Sequence, residues 1–348
     1  MNLDSRRQNR QRIFAGIVAG CVALAIGYTS WVILRAGRVA DQVQAQGQGT
    51  PLASEGQNGL QATQKGPHLL FVDMEESHEA QVKVQGLDPG ASERVPTALI
   101  CERIHYAAGN GICLMNEAAG LDNLVSVTLF GSDFQPRHQF TTEGILSRAR
   151  VSPDGKYAAF TVFLTGHSYA DSDLSTATFL LDTATGVNLG NLEEFETWKD
   201  GQLYEAPEFN FWGVTFAQDS NRFYATLQDL GKIYLVEGDV AARTLTVLRE
   251  DVECPSLSPD GTRIAFKKRT PLVFGQLTVL DLATMQETPL AEPYGIDDQV
   301  EWLDNEHILY HKLDYDPPKL VSVFVLPADG TGNPEVFIPN ALSPVVVR

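Results

Sequence analysis

Ser152-Pro153-Asp154-Gly155-Lys156-Tyr157-Ala158-Ala159-Phe160 returns later in the chain as Ser258-Pro259-Asp260-Gly261-Thr262-Arg263-Ile264-Ala265-Phe266. Each copy is a turn followed by a short apolar strand. Pro153 and Pro259 preset the first central dihedral of the turn, Asp154 and Asp260 accept backbone hydrogen bonds, and Gly155 and Gly261 take a positive φ. Weaker copies are Ala217-Gln218-Asp219-Ser220-Asn221-Arg222-Phe223-Tyr224-Ala225 and Leu303-Asp304-Asn305-Glu306-His307-Ile308-Leu309-Tyr310, with a fifth over Ala107 to Cys113, centred on Asn110. The intervals from Asn110 to Asp154, Asp219, Asp260 and Asn305 are 44, 65, 41 and 45 residues. The long one contains an excess at residues 191–211.

A second strand pair follows each turn. Leu277-Thr278-Val279-Leu280-Asp281-Leu282 turns at Ala283-Thr284 into Gln286 to Leu290, and Phe179 to Asp182, Ile233 to Val236 and Val323 to Leu326 are its counterparts. Four strands in about 40–45 residues is the period of a propeller blade. Six units can be counted. The first has Leu69 to Val72 and Ala80 to Gly86 but no Pro-Asp-Gly turn before them, while Ser343-Pro344-Val345-Val346-Val347 is a strand without a blade. The terminal strand is therefore expected to supply the innermost strand of the first blade, closing the ring and removing an exposed sheet edge. A β-sandwich would not explain a turn recurring at blade spacing. The expected fold is all-β, a six-bladed propeller of four-stranded antiparallel blades over residues 67–348.

In this repeated Ser-Pro-Asp-Gly turn with its Ile-Ala-Phe strand, the sequence resembles the TolB-like propeller family, and the same repeat occurs in the propeller domains of prolyl-oligopeptidase-type peptidases. The resemblance implies a six-bladed propeller. The chain departs from periplasmic TolB in carrying an apolar N-terminal segment and in leaving no room for a separate N-terminal α/β domain, so the fold carries over and the partners do not.

Phe14 to Leu34 is a 21-residue run without a charge, long enough as a helix to cross about 30 Å of bilayer core. Arg6, Arg7, Arg10 and Arg12 precede it and Arg35 and Arg38 follow it. That imbalance places residues 1–13 in the cytoplasm as a basic tail and the propeller outside. A cleaved signal peptide would have a shorter apolar region and a small-residue cleavage site, so an uncleaved transmembrane helix at 14–34 is expected. Residues 35–66 read as a flexible linker, poor in large apolar side chains.

Residues 41–348 hold 20 Lys and Arg against 43 Asp and Glu. Such a surface repels nucleic acid and anionic headgroups. Cys21 lies in the apolar run, Cys254 reads as a small buried residue, and Cys101 and Cys113 flank a hairpin and are candidates for a disulfide in an oxidising compartment. Gly166-His167-Ser168-Tyr169-Ala170 lacks the second Gly of a nucleophile elbow. His307 and His311, four apart in a strand, lie too far apart to share a metal. Asp171 and Asp173 fall short of a calcium loop. Asp297, Asp298 and Glu301, followed by Trp302, read either as a capped turn beside a core Trp or as an acidic, aromatic-edged channel mouth for a basic peptide or a cation. The insert 191–211, with Trp198 and Tyr204 inside it and Trp212 just after it, either caps one propeller face and presents anchors to a partner or packs as a long loop on its own propeller. These features point to a membrane-tethered, non-enzymatic scaffold that binds an envelope protein, peptide or wall component, needing no cofactor, metal or nucleic acid. The alternative is a propeller hydrolase or lyase with a channel-centred metal or carboxylate site.

Overall fold

The computed structural model describes residues 60–348 except 75–79, 89, 118–122, 167–168, 170–173, 207–208, 271–272, 274 and 314–320. The expected basic tail, transmembrane helix and most of the linker, together with Cys21, His167, Ser168, Asp171 and Asp173, lie outside the described residues. Among the described residues no helix is long and apolar enough to cross a membrane.

Six sheets follow one another along the chain. Blade 2 runs from its innermost strand outward as Arg103–Ala107, Asn110–Asn116, Leu124–Gly131 and Pro136–Glu143. Blade 3 is Ile145–Val151, Tyr157–Thr165, Ser175–Asp182 and Asn188–Asn191. Blade 4 is Asn210–Phe216, Arg222–Asp229, Lys232–Asp239 and Thr244–Glu250. Blade 5 is Glu253–Leu257, Arg263–Lys268, Gln276–Asp281 and Glu287–Pro289, and blade 6 is Glu301–Trp302, His307–Leu313, Val321–Pro327 and Glu335–Ile338. Blade 1 takes His68–Asp73, Gln81–Gly86 and Val95–Ile100 from the start of the propeller and its innermost strand, Ala341–Val347, from the end of the chain. His68 pairs with Val347 and Leu70 with Val345 in an antiparallel ladder. The innermost strands adjoin in order around a closed ring.

The two-residue period of a strand explains the continuous apolar runs. In His68–Asp73 every residue is buried. Leu70 and Val72 pack with Ile104 and Cys113 of blade 2, while Leu69 and Phe71 point the other way and pack with Leu309, Val323 and Ile338 of blade 6. Ile264 and Phe266 likewise meet Tyr224 and Leu235 of blade 4, whereas Ala265 meets Ile308 and Tyr310 of blade 6. Each sheet is therefore apolar on both faces and is covered only by its neighbours.

The two full turn motifs carry the same hydrogen bonds. Asp154 accepts from the Ser152 hydroxyl at 2.7 Å and the Lys156 amide at 2.9 Å, and Ser152 accepts from the Tyr157 amide at 2.9 Å. Asp260 accepts from Ser258 at 2.6 Å and Thr262 at 3.0 Å, and Ser258 from Arg263 at 3.0 Å. Each turn is also tied to the next blade. The Asp154 amide donates to Ser220 at 3.2 Å and the Asp260 amide to Asn305 at 3.1 Å.

Among its described residues the insert forms strands on the edge of blade 4. After a single 3-10 turn at Leu192–Glu194, Glu196–Lys199 pairs in parallel with Thr244–Glu250, the outermost strand of blade 4, and Gln202–Leu203 pairs outside that. The outer strand had unpaired backbone groups, and the insert satisfies them by widening the blade to six strands. Cys101 and Cys113 are joined by a disulfide with Cα atoms 5.5 Å apart, and Cys254 is free and buried.

Two predictions follow from this frame. Gly155 and Gly261 both have positive φ, 74° and 71°, but a Cβ on Gly155 would lie 2.8 Å from the Ala107 carbonyl oxygen of blade 2, while one on Gly261 would meet nothing within 4 Å. In urea unfolding, Gly261→Ala should cost about 1 kcal/mol, and Gly155→Ala measurably more. Replacing Cys101 and Cys113 together by Ser should cost about 2–4 kcal/mol, and alkylation of the folded, unreduced protein should label neither of them.

Candidate functional site

Alternation of strand direction gives the propeller two unlike faces. Inner strands turn tightly into second strands on one, the turn face. On the other, the loop face, second strands pass to third strands and each blade passes to the next. A residue early in an inner strand or late in a second strand therefore sits near the loop face. Arg103, Glu253, Glu301, Lys267, Arg269 and His311 are all placed this way.

Within an inner strand, alternate residues point into the channel. Arg103 and His105 do so in blade 2, where Ile104 and Tyr106 belong to the core. Arg148 and Arg150 do so in blade 3. The connection into blade 6 brings Asp297 and Asp298 against them. Arg148 donates to the Asp297 carbonyl oxygen at 2.9 Å and lies 3.4 Å from its carboxylate. Arg150 pairs with Glu301, donates to the Val300 carbonyl oxygen at 3.0 Å and lies 3.0 Å from His105 Nε2. Lys267, 1% exposed, reaches Asp297 at 2.7 Å and Glu253 at 3.4 Å, and Arg269 closes on Glu253 at 2.9 Å. His311 lies 2.7 Å from Asp298, and Arg103 lies 3.3 Å from His311. The network thus joins blades 2, 3, 5 and 6 across the axis.

Aromatic groups cover the network. Tyr169, in the loop between the second and third strands of blade 3, is 1% exposed. Its ring stacks on Trp212 with centroids 4.7 Å apart. The Arg148 guanidinium lies 5.3 Å from that ring and Lys267 Nζ 4.9 Å, while the Tyr169 hydroxyl meets Ser147 at 2.5 Å.

The charges are strongly perturbed. Burial would raise the pKa of Glu301, but the charge of Arg150 and the contact with His105 reverse this and bring it down to about 2. Burial also opposes ionisation of Asp298, and His311, Arg148 and Arg103 overcome it, leaving its carboxyl well below the usual range. Asp297 is lowered in the same way, with Lys267 and Arg148 outweighing burial. Burial and then the neighbouring Arg150 push His105 down, so it is neutral near pH 7. Five cations, Arg103, Arg148, Arg150, Lys267 and Arg269, face four carboxylates, Glu253, Asp297, Asp298 and Glu301.

These carboxylates do not form a bare acidic mouth, and the core-Trp reading of Trp302 fits its burial. Asp297, Asp298 and Glu301 do come together, but arginines and a lysine from other blades neutralise them, because bare buried carboxylates would be too costly. Trp302 is 2% exposed and donates its indole N–H to the Ser256 carbonyl oxygen at 2.9 Å. Trp212, expected at a partner surface, is fully buried beneath Tyr169. Tyr204 is half-buried, with its hydroxyl on Asp229 and Lys199 Nζ 5.0 Å from its ring. Trp198 is 37% exposed on the widened edge of blade 4. His307 pairs with Asp304 at 3.1 Å, apart from His311. Among the described residues no group of three or more His, Cys, Asp or Glu is placed to hold a metal ion. The cations of the network carried no motif, since they are single residues or short basic runs in separate blades with no metal-ligand or catalytic spacing. The alternation of Arg148 and Arg150 within the inner strand Ile145–Val151 was the one available signal.

No family model matches the chain, and no curated protein matches it. Solved structures do. TolB from Acinetobacter baumannii is 13% identical with a TM-score of 0.58, covering 81% of this chain and 67% of that one. A chain of a nidogen/laminin complex is 10% identical with a TM-score of 0.50, covering 81% and 98%. An oligogalacturonate lyase in complex with manganese is 9% identical with a TM-score of 0.49, covering 75% and 74%. Likeness at these identities is likeness of fold, and the fold is the six-bladed TolB-like propeller.

A carboxylate with a depressed folded-state pKa stabilises the fold above its unfolded value and loses that contribution as pH falls towards the folded value. Glu301→Gln leaves Arg150 buried without its countercharge and should cost about 3 kcal/mol at neutral pH. The gap between the two proteins should narrow as the pH of the denaturation series falls from about 5 towards 2.

Proposed function

We infer, from a TolB-like propeller whose loop face has a neutralised polar centre and an apolar rim, that the protein is a membrane-tethered, extracytoplasmic and non-enzymatic scaffold that binds an envelope protein or peptide on that face. Ile100, Leu164, Leu230, Tyr294 and Leu313 are large exposed apolar residues, and strand direction places all five on the loop face. A polar centre ringed by apolar side chains suits a docking surface better than scattered single residues would.

The observation that carries this reading is Leu230. It stands at the tip of the hairpin between Arg222–Asp229 and Lys232–Asp239, is 82% exposed and has a φ of 46°. Turn physics favours Asn or Gly there. A bulky apolar side chain in solvent, held in a left-handed conformation, costs folding energy and returns nothing within the described residues. The engaged carboxylates of the channel support binding over acid–base chemistry, because Asp298 and Glu301 are held ionised by fixed partners. The charge-free run 14–34 and its flanking arginines support the tether, and the Cys101–Cys113 disulfide suits an oxidising compartment.

Leu230→Asn relieves the turn while removing the apolar tip. In cells, chemical crosslinking of the full chain followed by partner identification should recover the partner several-fold less with this variant, while the thermal midpoint stays level or rises. Unchanged recovery would exclude the loop face. Release of the intact protein from membranes by alkaline carbonate would exclude the tether.

A further inference from the structure

The turn face carries a separate feature at the seam where the ring closes. A groove of about 760 Å³ lies between the first described residues, the end of the terminal strand and the turns of blade 2. Leu60, Ala98 and Tyr106 give it an apolar floor, and Gln61, Ser132 and Gln135 stand among its polar walls. The volume is in the range of small-molecule sites, and the mixture of apolar surface with a few polar groups is typical of them.

His68 lines this groove and is 3% exposed. Its Nδ1 lies 2.8 Å from the Gly66 carbonyl oxygen. A carbonyl oxygen can only accept, so Nδ1 carries the proton and Nε2 presents a bare lone pair. Burial lowers the pKa of the ring, against the opposing effect of that hydrogen bond, and so keeps it neutral. Nε2 is buried and has no hydrogen-bond partner among the described residues. A buried acceptor left unpaired costs about 1–3 kcal/mol, and a ligand supplying an O–H or N–H donor would recover that.

The remaining polar groups narrow the ligand's charge. Among the described residues Arg348 is the one cationic side chain of the lining, and its guanidinium already donates to the Trp302 and Leu303 carbonyl oxygens. Asp133 is the one acidic side chain among the described residues of the lining, and it accepts from the Gln135 amide at 3.1 Å. Gln64 donates to the Ser132 carbonyl oxygen at 3.0 Å and holds the helical turn at residues 60–63 against blade 2. What is left is a set of neutral amide and hydroxyl groups over an apolar floor.

We propose that this seam groove binds a neutral polyhydroxylated ligand, one or two units of a saccharide, with a ligand hydroxyl donating to His68 Nε2 and the glutamine amides bridging other hydroxyls. The apolar C–H face of a sugar ring would rest on Leu60 and Ala98. The site lies on the opposite face from the proposed partner surface and does not depend on it.

The test is saturation-transfer NMR and calorimetry on the full chain in detergent, with cellobiose, maltose and diacetylchitobiose as neutral probes and galacturonate and glucose 6-phosphate as charged ones. At least one neutral disaccharide should bind, with the charged sugars weaker. His68→Phe, which keeps the ring but removes the acceptor, should weaken binding about tenfold or more. Ala98→Phe, which fills the groove and leaves the histidine in place, should abolish it. Circular dichroism melts check that both variants fold, and if His68→Phe does not, Ala98→Phe decides alone. Failure of every neutral sugar to bind, charged sugars binding as well, or binding indifferent to Ala98→Phe would overturn the proposal. Binding that arises only after residues 41–56 are deleted would overturn it too, since the chain's own linker would then be the occupant.

Discussion

Every blade of this protein is a sheet with two apolar faces, and that constraint governs the rest. A sheet with Leu70 and Val72 on one side and Leu69 and Phe71 on the other cannot stop at a single neighbour. Burial of each such side chain contributes on the order of 2 kcal/mol, so an end blade left open would lose much of its stability along one face. The circle is the arrangement in which no end exists. Its closure falls on blade 1, where Ala341–Val347 lies inside His68–Asp73 and Val346 joins Leu69 and Phe71 against Leu309 of blade 6. Chain ends that are remote in sequence become neighbours in one sheet, and unfolding of either end exposes both.

Closing a ring of six sheets leaves an axis that apolar side chains do not fill. In the described residues its loop-face end is occupied by arginines, a lysine and carboxylates, although buried ion pairs are weak sources of net stability. Their geometry suggests another contribution. Arg148, Arg150 and Lys267 each bond to acceptors presented by the connection into blade 6, so the pairs form only if those three blades hold one register about the axis. Apolar contacts between blades tolerate a small slip, and charge pairs with backbone carbonyls at about 3 Å do not. Tyr169, backed by Trp212, then covers Arg148 and Lys267 on one side of the network, and the lower local dielectric raises the cost of breaking any single pair.

The fold was legible in the sequence because its signal is local. Ser152 to Phe160 contains, within nine residues, the turn, the acceptor for its amides and the strand that follows, and the spacing of such units reveals the blade. The terminal strand was legible by counting, since the first unit lacked an inner strand and the last had one to spare. The site was only half legible. Asp297, Asp298 and Glu301 are neighbours in sequence and could be seen together, whereas Arg148, Arg150 and Lys267 come from blades 3 and 5 and reveal nothing until the ring closes. Trp212 looked like part of an insert because its aromatic neighbours are. Its position within the inner strand Asn210–Phe216 buries it. The length of the insert showed that something extra was present, but a loop over a face and two strands on an edge can have the same composition.

The weaker copies of the turn show how far sequence can drift while this fold persists. At residues 217–222 there is no Pro and no Gly, yet Asp219 accepts from the Asn221 amide at 3.0 Å and the Arg222 amide at 2.7 Å, and Ser220 adopts a φ of 58° where the full motif has Gly. At residues 303–307, Asp304 accepts from the Glu306 and His307 amides, both at 2.7 Å. One side-chain acceptor at the corner is what these versions retain. Ser220 bears a left-handed strain of roughly 1 kcal/mol, and its hydroxyl accepts from the Asp154 amide of blade 3, so part of that cost is offset across the blade boundary. A fold that asks for one acceptor per corner and for apolar side chains on both faces of each sheet, of whatever kind packs, constrains few identities. That is consistent with a chain whose likeness to TolB from Acinetobacter baumannii is plain in three dimensions while only 13% of residues are shared. Leu230, exposed at a hairpin tip with a positive φ, is a position whose identity neither the core nor turn chemistry calls for.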